Sequence, residues 1–118
     1  MNEPQLILYI AGPITGMENE NRPSFERVAK HFRDLGFIVR NPHEFCHDIP
    51  KGSNWSIYMR RCLTVLAECT DIVFLPGWKH SRGANIELQA AEGIGMNVHY
   101  SIKEFEDFIL AIRERMVG

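Results

Sequence analysis

Apolar residues recur along this chain in two alternating rhythms. Short apolar runs fall at residues 6–10, 37–39 and 72–75, and Met96–Tyr100 reads as a fourth short strand. They suit strands of a parallel sheet that is covered on both faces. Between and after them the apolar positions return every three or four residues. Phe25, Val28, Ala29, Phe32 and Leu35 form one stripe, and Trp55, Tyr58, Met59, Cys62, Leu66 and Cys69 a second. Phe105, Phe108, Ile109, Ile112 and Met116 form the last. That spacing is the signature of amphipathic helices. The order predicts β-α-β-α-β-α-β-α: a single flavodoxin/Rossmann-like α/β domain over residues 1–118, with a parallel sheet of four or five strands and helices on both faces.

Local punctuation agrees. Pro23 suits a first helical turn and Gly36 ends that helix. Asn41-Pro42 stops the second strand, and residues 43–53 read as a loop closed by Lys51-Gly52-Ser53. Ser53 or Asn54 can cap the next helix. Pro76-Gly77 ends the third strand, Ser81 caps a helix over residues 81–94, and Gly93 or Gly95 closes it. Ser101-Ile102-Lys103-Glu104 is a capping box. Ligands of such sheets bind beyond the carboxyl ends of the strands, which places the expected site at residues 9–16, 41–45 and 77–87.

Within that site Glu87 is out of place. Asn85, Gln89 and Glu92 share the helix face assigned to solvent, whereas Glu87 falls with Ala84, Ala90, Ala91 and Ile94 on the apolar face. A carboxylate there is costly unless it is paired or employed. It is a helix-start glutamate favoured by the dipole, half of a buried ion pair, or a functional group. Tyr9 is the polar-tipped residue of the first strand, and its hydroxyl needs a partner if buried. Should strands one and three be neighbours, Tyr9 reaches Glu87. The helix start at Ser81 offers unpaired N–H groups to an anion, and Gly83 would let a ligand approach the backbone.

Other motifs carry less. Gly12-Pro13-Ile14-Thr15-Gly16 has neither the G-x-G-x-x-G spacing nor a following Gly-Lys-Ser/Thr, so it is a glycine turn with free N–H groups. His43-Glu44-Phe45-Cys46-His47 matches H-E-x-x-H by letters, but Pro42 and Pro50 leave no room for the long helix that a zinc site needs, and no metal is expected. Cys62 and Cys69, two turns apart, read as small buried hydrophobes. Trp78 either stacks on a planar ring in the site or covers the core, and His80 lies exposed or against a ligand.

Composition excludes some classes. The 118 residues are 45% hydrophobic and 24% charged with a formal net charge of -2, ordinary for a globular domain. Nothing here favours a nucleic-acid polymer or an anionic membrane as partner. No apolar run spans a bilayer, and the first residues lack the form of a signal peptide. Three cysteines, an odd number, fit a reduced, cytoplasmic setting.

The combination of Tyr9-Ile-Ala-Gly-Pro-Ile-Thr-Gly16, Asn41-Pro42, Leu75-Pro-Gly-Trp78, and Ser81-Arg-Gly-Ala84 with Glu87 resembles small phage and bacterial proteins of the nucleoside 2-deoxyribosyltransferase-like superfamily. The resemblance runs from Leu6 to about Tyr100. It implies cleavage of the N-glycosidic bond of a nucleotide or nucleoside, with Glu87 as nucleophile and Tyr9 orienting it. Ser81 stands where the monophosphate-cleaving relatives bind phosphate, and Gly12, Thr15 and Gly16 would cradle sugar or phosphate. It implies no cofactor and a homodimer or higher homo-oligomer, for which the last helix offers an apolar stripe. One position departs: Cys62 stands where relatives carry a general-acid aspartate, leaving Asp48, Glu44 or His43 as substitutes.

Overall fold

The structure, a computed structural model, describes residues 5–117. Four strands, β1 (Ile7–Ala11), β2 (Ile38–Arg40), β3 (Asp71–Phe74) and β4 (Asn97–His99), form one all-parallel sheet in the order β2-β1-β3-β4. The chain is thus a single α/β domain of Rossmann/flavodoxin-like architecture. Five helices join or follow the strands: α1 (Arg22–Asp34), α2 (Pro42–Phe45), α3 (Trp55–Leu66), α4 (Arg82–Gly93) and α5 (Ile102–Val117).

Side chains of one strand alternate between faces, and this alternation divides the core in two. Leu8 and Ile10 of β1, with Val73 and Leu75, meet Phe25, Val28, Ala29 and Phe32 of α1 and Phe105 and Ile109 of α5. Tyr9 and Ala11, with Ile72 and Phe74, meet Cys62 and Leu66 of α3 and Ala84 and Ala91 of α4. The middle of each sequence stripe therefore lies where the periodicity put it, whereas Leu35, Trp55 and Met116 at the stripe ends are exposed. The capping box forms as well: Ser101 Oγ accepts from Glu104 N at 3.1 Å, and Glu104 accepts from Tyr100 N at 2.7 Å.

The register sets the site. Tyr9 lies between Arg40 on β2 and Ile72 on β3. The chain winds from β1 outward to β2, then returns across the sheet to β3 and continues outward to β4. Between β1 and β3 the winding reverses, and such a switch point opens a crevice beyond the strands' carboxyl ends.

Four expectations change. The segment after β2 is not all loop: Asn41 Oδ1 accepts from His43 N at 3.0 Å and Pro42 occupies the first turn, so a one-turn helix forms. Neither candidate side chain caps α3, since Asn54 makes no cap bond and Ser53 Oγ donates back to Pro50 O at 2.6 Å. Ile94 is 56% exposed because α4 has ended there. Asn85 does not simply face solvent: its amide donates to the carbonyls of Lys79 at 3.1 Å and Ser81 at 2.8 Å, tying the preceding turn to α4.

Candidate active site

β1 and α4 bring Tyr9 and Glu87 together. The Tyr9 hydroxyl donates to Glu87 Oε2, and both groups are buried. Glu87 faces inward because Ala84 and Ala91, one turn either side, pack α4 onto the sheet. Burial raises its carboxyl from 4.5 to about 8; the Cys62 sulfur adds in the same direction and the Tyr9 hydroxyl opposes. Tyr9 is itself held protonated, above all by burial and then by the Glu87 charge. Its ring packs against Phe45, with centroids 5.9 Å apart.

Sulfur completes the cluster. Cys62 lies beside both Tyr9 and Glu87, and Cys46, just past α2, packs against the same group. The Cys46 thiol, and then burial, push the Cys62 thiol well above its ordinary range. Cys62 is accordingly a neutral thiol, not an acid in waiting.

Two of the three sequence candidates for a general acid are engaged elsewhere. Glu44 is gripped by Arg33 through two bonds of 2.6 and 2.7 Å. Asp48 is held by Arg61 at 2.8 Å. His43 is driven toward its neutral form, chiefly by burial and then by Arg22; its Nε2 is buried without a partner. Asp71 sits at the amino end of β3, away from the site, bonded to His99 at 2.8 Å and to Thr70 at 2.7 Å. His43 and His47 do not share a helix, because α2 ends at Phe45. Among the described residues no three His, Cys, Asp or Glu side chains gather as a metal site would need.

Ser81 caps α4, its Oγ accepting from Ala84 N at 3.2 Å. Its hydroxyl proton remains free to donate outward. Thr15 and Gly16 lie exposed in the turn after β1, and Gly16 has φ +81°. The turn continues into Asn19, Glu20 and Asn21, all left-handed. Two glycines are explained by packing. A Cβ on Gly12 would stand 2.9 Å from Leu75 Cβ, so β1 needs glycine there to pass β3's end. A Cβ on Gly83 would stand 3.2 Å from Met59 Sδ, so its Cβ direction faces α3. Trp78 covers the core, with ring centroids 4.8 Å from Phe74 and 6.0 Å from Tyr100.

Sequence reasoning missed Cys46 and the tie that places it. Arg61, the neighbour of Cys62, donates to Phe45 O at 2.7 Å. Asn41 fell within the expected site, but its burial, 1% exposed with Nδ2 unpartnered, was not foreseen. An Asn-Pro pair after a strand is the one signal that marked a helix start there.

Fold and site together define a doubly wound α/β domain with a buried, tyrosine-bonded carboxyl group at its switch point. Residues 6–100 match the family described as Domain of unknown function (DUF4406), and the chain belongs to that family. No curated protein matches the chain. Among the described residues no helix is long and apolar enough to cross a membrane.

Proposed function

We propose that this protein cleaves the N-glycosidic bond of a nucleoside 5'-monophosphate through a glycosyl-enzyme on Glu87. The observation that carries the reading is the Tyr9–Glu87 hydrogen bond at the switch point. Ionised Glu87 attacks the anomeric carbon as the bond to the base breaks, and water then hydrolyses the glycosyl ester. Tyr9 orients the attacking oxygen. Ser81, which caps α4, and the first turn of that helix would take the phosphate. The resemblance to nucleoside 2-deoxyribosyltransferase-like proteins supports the same assignment.

Two features restrict the substrate. With Glu44 and Asp48 paired and Cys62 a neutral thiol, the departing base receives little help from an acid. Bases that leave readily, as in deoxy or modified nucleotides, are favoured. Glu87 is also only 5% exposed, so the sugar reaches it only once the side chains over it have moved. The reading includes a soluble, cytoplasmic protein that self-associates: Leu110 and Met116 on α5 and Ile57 on α3 leave large apolar side chains exposed. Light scattering at rising concentration tests this last point, and a persistent monomer overturns it.

The deciding experiment offers ribo- and deoxyribonucleoside monophosphates and their nucleosides to the protein, with Glu87→Ala as control. Free base that disappears in the variant supports the hydrolase. Base exchange without net hydrolysis supports a deoxyribosyltransferase. The Cys62 substitution favours a third reading, a nucleotide-binding sensor. Its mark is a nucleotide that raises the melting temperature while no base is released.

A further inference from the structure

Two of the three cysteines converge beside the Tyr9–Glu87 pair, and nothing in the reaction above employs their sulfur. Cys62 is buried on α3, facing Tyr9. Cys46 is half-buried just beyond α2 and packs against the same cluster. The two segments are fastened at this point. Arg61, next to Cys62, donates to the carbonyl of Phe45, next to Cys46, at 2.7 Å, and holds Asp48 at 2.8 Å. Cys69, beyond the end of α3, is directed elsewhere, its thiol donating to Val65 O at 3.3 Å.

We propose that Cys46 and Cys62 form a hydroperoxide-reactive dithiol that closes to a disulfide tying the α2 segment to α3. The chemistry follows from the asymmetry of the two sulfurs. Cys46 is the more accessible, and its thiol is shifted toward the thiolate, first by the Cys62 thiol and then, against burial, by Arg61. Its thiolate attacks one peroxide oxygen and the O–O bond breaks. The other oxygen departs as hydroxide and is protonated to water, leaving a sulfenic acid. The Cys62 sulfur then displaces hydroxide from the Cys46 sulfur, and its own proton leaves with that hydroxide as a second water. Two thiols are oxidised by two electrons and the peroxide is reduced to two waters. The product holds covalently a junction that Arg61 otherwise holds by hydrogen bonds.

The test treats the full chain with one equivalent of hydrogen peroxide, alkylates the remaining thiols, and maps peptides by mass spectrometry before and after reduction. A Cys46–Cys62 cross-link that loses two hydrogens and reverses with a thiol reductant is expected, with Cys69 alkylated throughout. Oxidation at Cys46 should outpace that at Cys69 by roughly tenfold or more. In Cys62→Ser the Cys46 sulfenic acid should persist and react with a cyclic dione probe. Cys69→Ser should cross-link as the parent does. Equal oxidation of all three cysteines, or oxidised Cys46 that never joins Cys62 in the folded parent, overturns the proposal. So does a bridge that forms only between two chains. None of these readouts depends on glycosidase activity.

Discussion

Tyr9 on β1 donates its hydroxyl proton to Glu87 on α4, 78 residues away in sequence. Parallel pairing of β1 with β3 creates this contact, because α4 leaves directly from the end of β3. The bond works against burial, which drives the carboxyl up to about 8.

The first prediction concerns the acid limb of catalysis. A nucleophilic carboxyl must be ionised, so for the proposed reaction kcat/KM should rise with pH up to about 8, where Glu87 of the free protein loses its proton. Tyr9→Phe keeps the ring against Phe45 but removes the bond that opposes burial. The limb should move to higher pH, and the deficit should be larger at pH 7 than at pH 9. Rate profiles of both proteins on one substrate check this. Equal losses at every pH would make Tyr9 a packing residue only.

The second concerns stability. Glu87 goes from an ordinary 4.5 to about 8 on folding, so between those values the folded chain holds a proton that the unfolded chain has released. The contribution is complete below about pH 4.5 and fades as pH rises through about 8. At roughly 1.4 kcal/mol per unit, it amounts to several kcal/mol. Glu87→Gln is neutral throughout and should lack this decline. Urea unfolding at intervals from pH 5 to pH 9 should show the variant gaining on the parent as pH rises. Parallel curves would mean that the carboxyl is ionised when folded.

Glu87 and Tyr9 were legible in the sequence because each breaks a pattern. A carboxylate sits among alanines at helical spacing, and a polar tip sits inside an apolar strand. The sheet was legible for the same reason, since two rhythms alternate without interruption. What hid was decided by space rather than by period. No period tells that a Cβ on Gly83 would meet Met59 of α3, or that one on Gly12 would meet Leu75. Asn85 belongs to the polar face by angle, yet three carbonyls of the preceding turn claim its amide. Cys46 and Cys62 lie in different segments, and the hydrogen bond from Arg61 to Phe45 joins those segments. Contacts of that kind have no periodicity to read.

The two glycines of the β1–α1 turn give a third prediction. Gly12 needs space: an added Cβ meets Leu75 Cβ at 2.9 Å, in a side chain that is 1% exposed. Gly16 needs only its φ of +81°, with no atom within 4 Å. Asn tolerates left-handed backbone, so Gly16→Asn should cost less than about 1 kcal/mol. Gly12→Asn and Gly12→Ala should each cost about 1–3 kcal/mol through overpacking. Thermal unfolding of the three variants checks the order, and a destabilised Gly16→Asn beside an unaffected Gly12→Ala would reverse it.

The last prediction separates stability from the site. Asp71 and His99 are buried at 2.8 Å beneath α5, where Phe105 and Phe108 flank the His99 ring with centroids 4.9 and 4.6 Å away. The second Asp71 oxygen accepts from Thr70 Oγ1, whose oxygen also receives the Ile7 amide of β1 at 2.8 Å. This network joins β1, β3 and β4 at the end of the sheet away from Glu87. Asp71→Ala leaves a buried imidazole without its partner and should cost about 3–5 kcal/mol. Asp71→Asn keeps the shape and one acceptor oxygen, and should cost distinctly less. Denaturant unfolding ranks the two. Nucleotide binding, measured per folded molecule at low denaturant, should stay at the parent value in both, because Asp71 touches nothing at the carboxyl ends of the strands. An affinity that falls in Asp71→Asn while stability holds would instead place Asp71 in the function of the site.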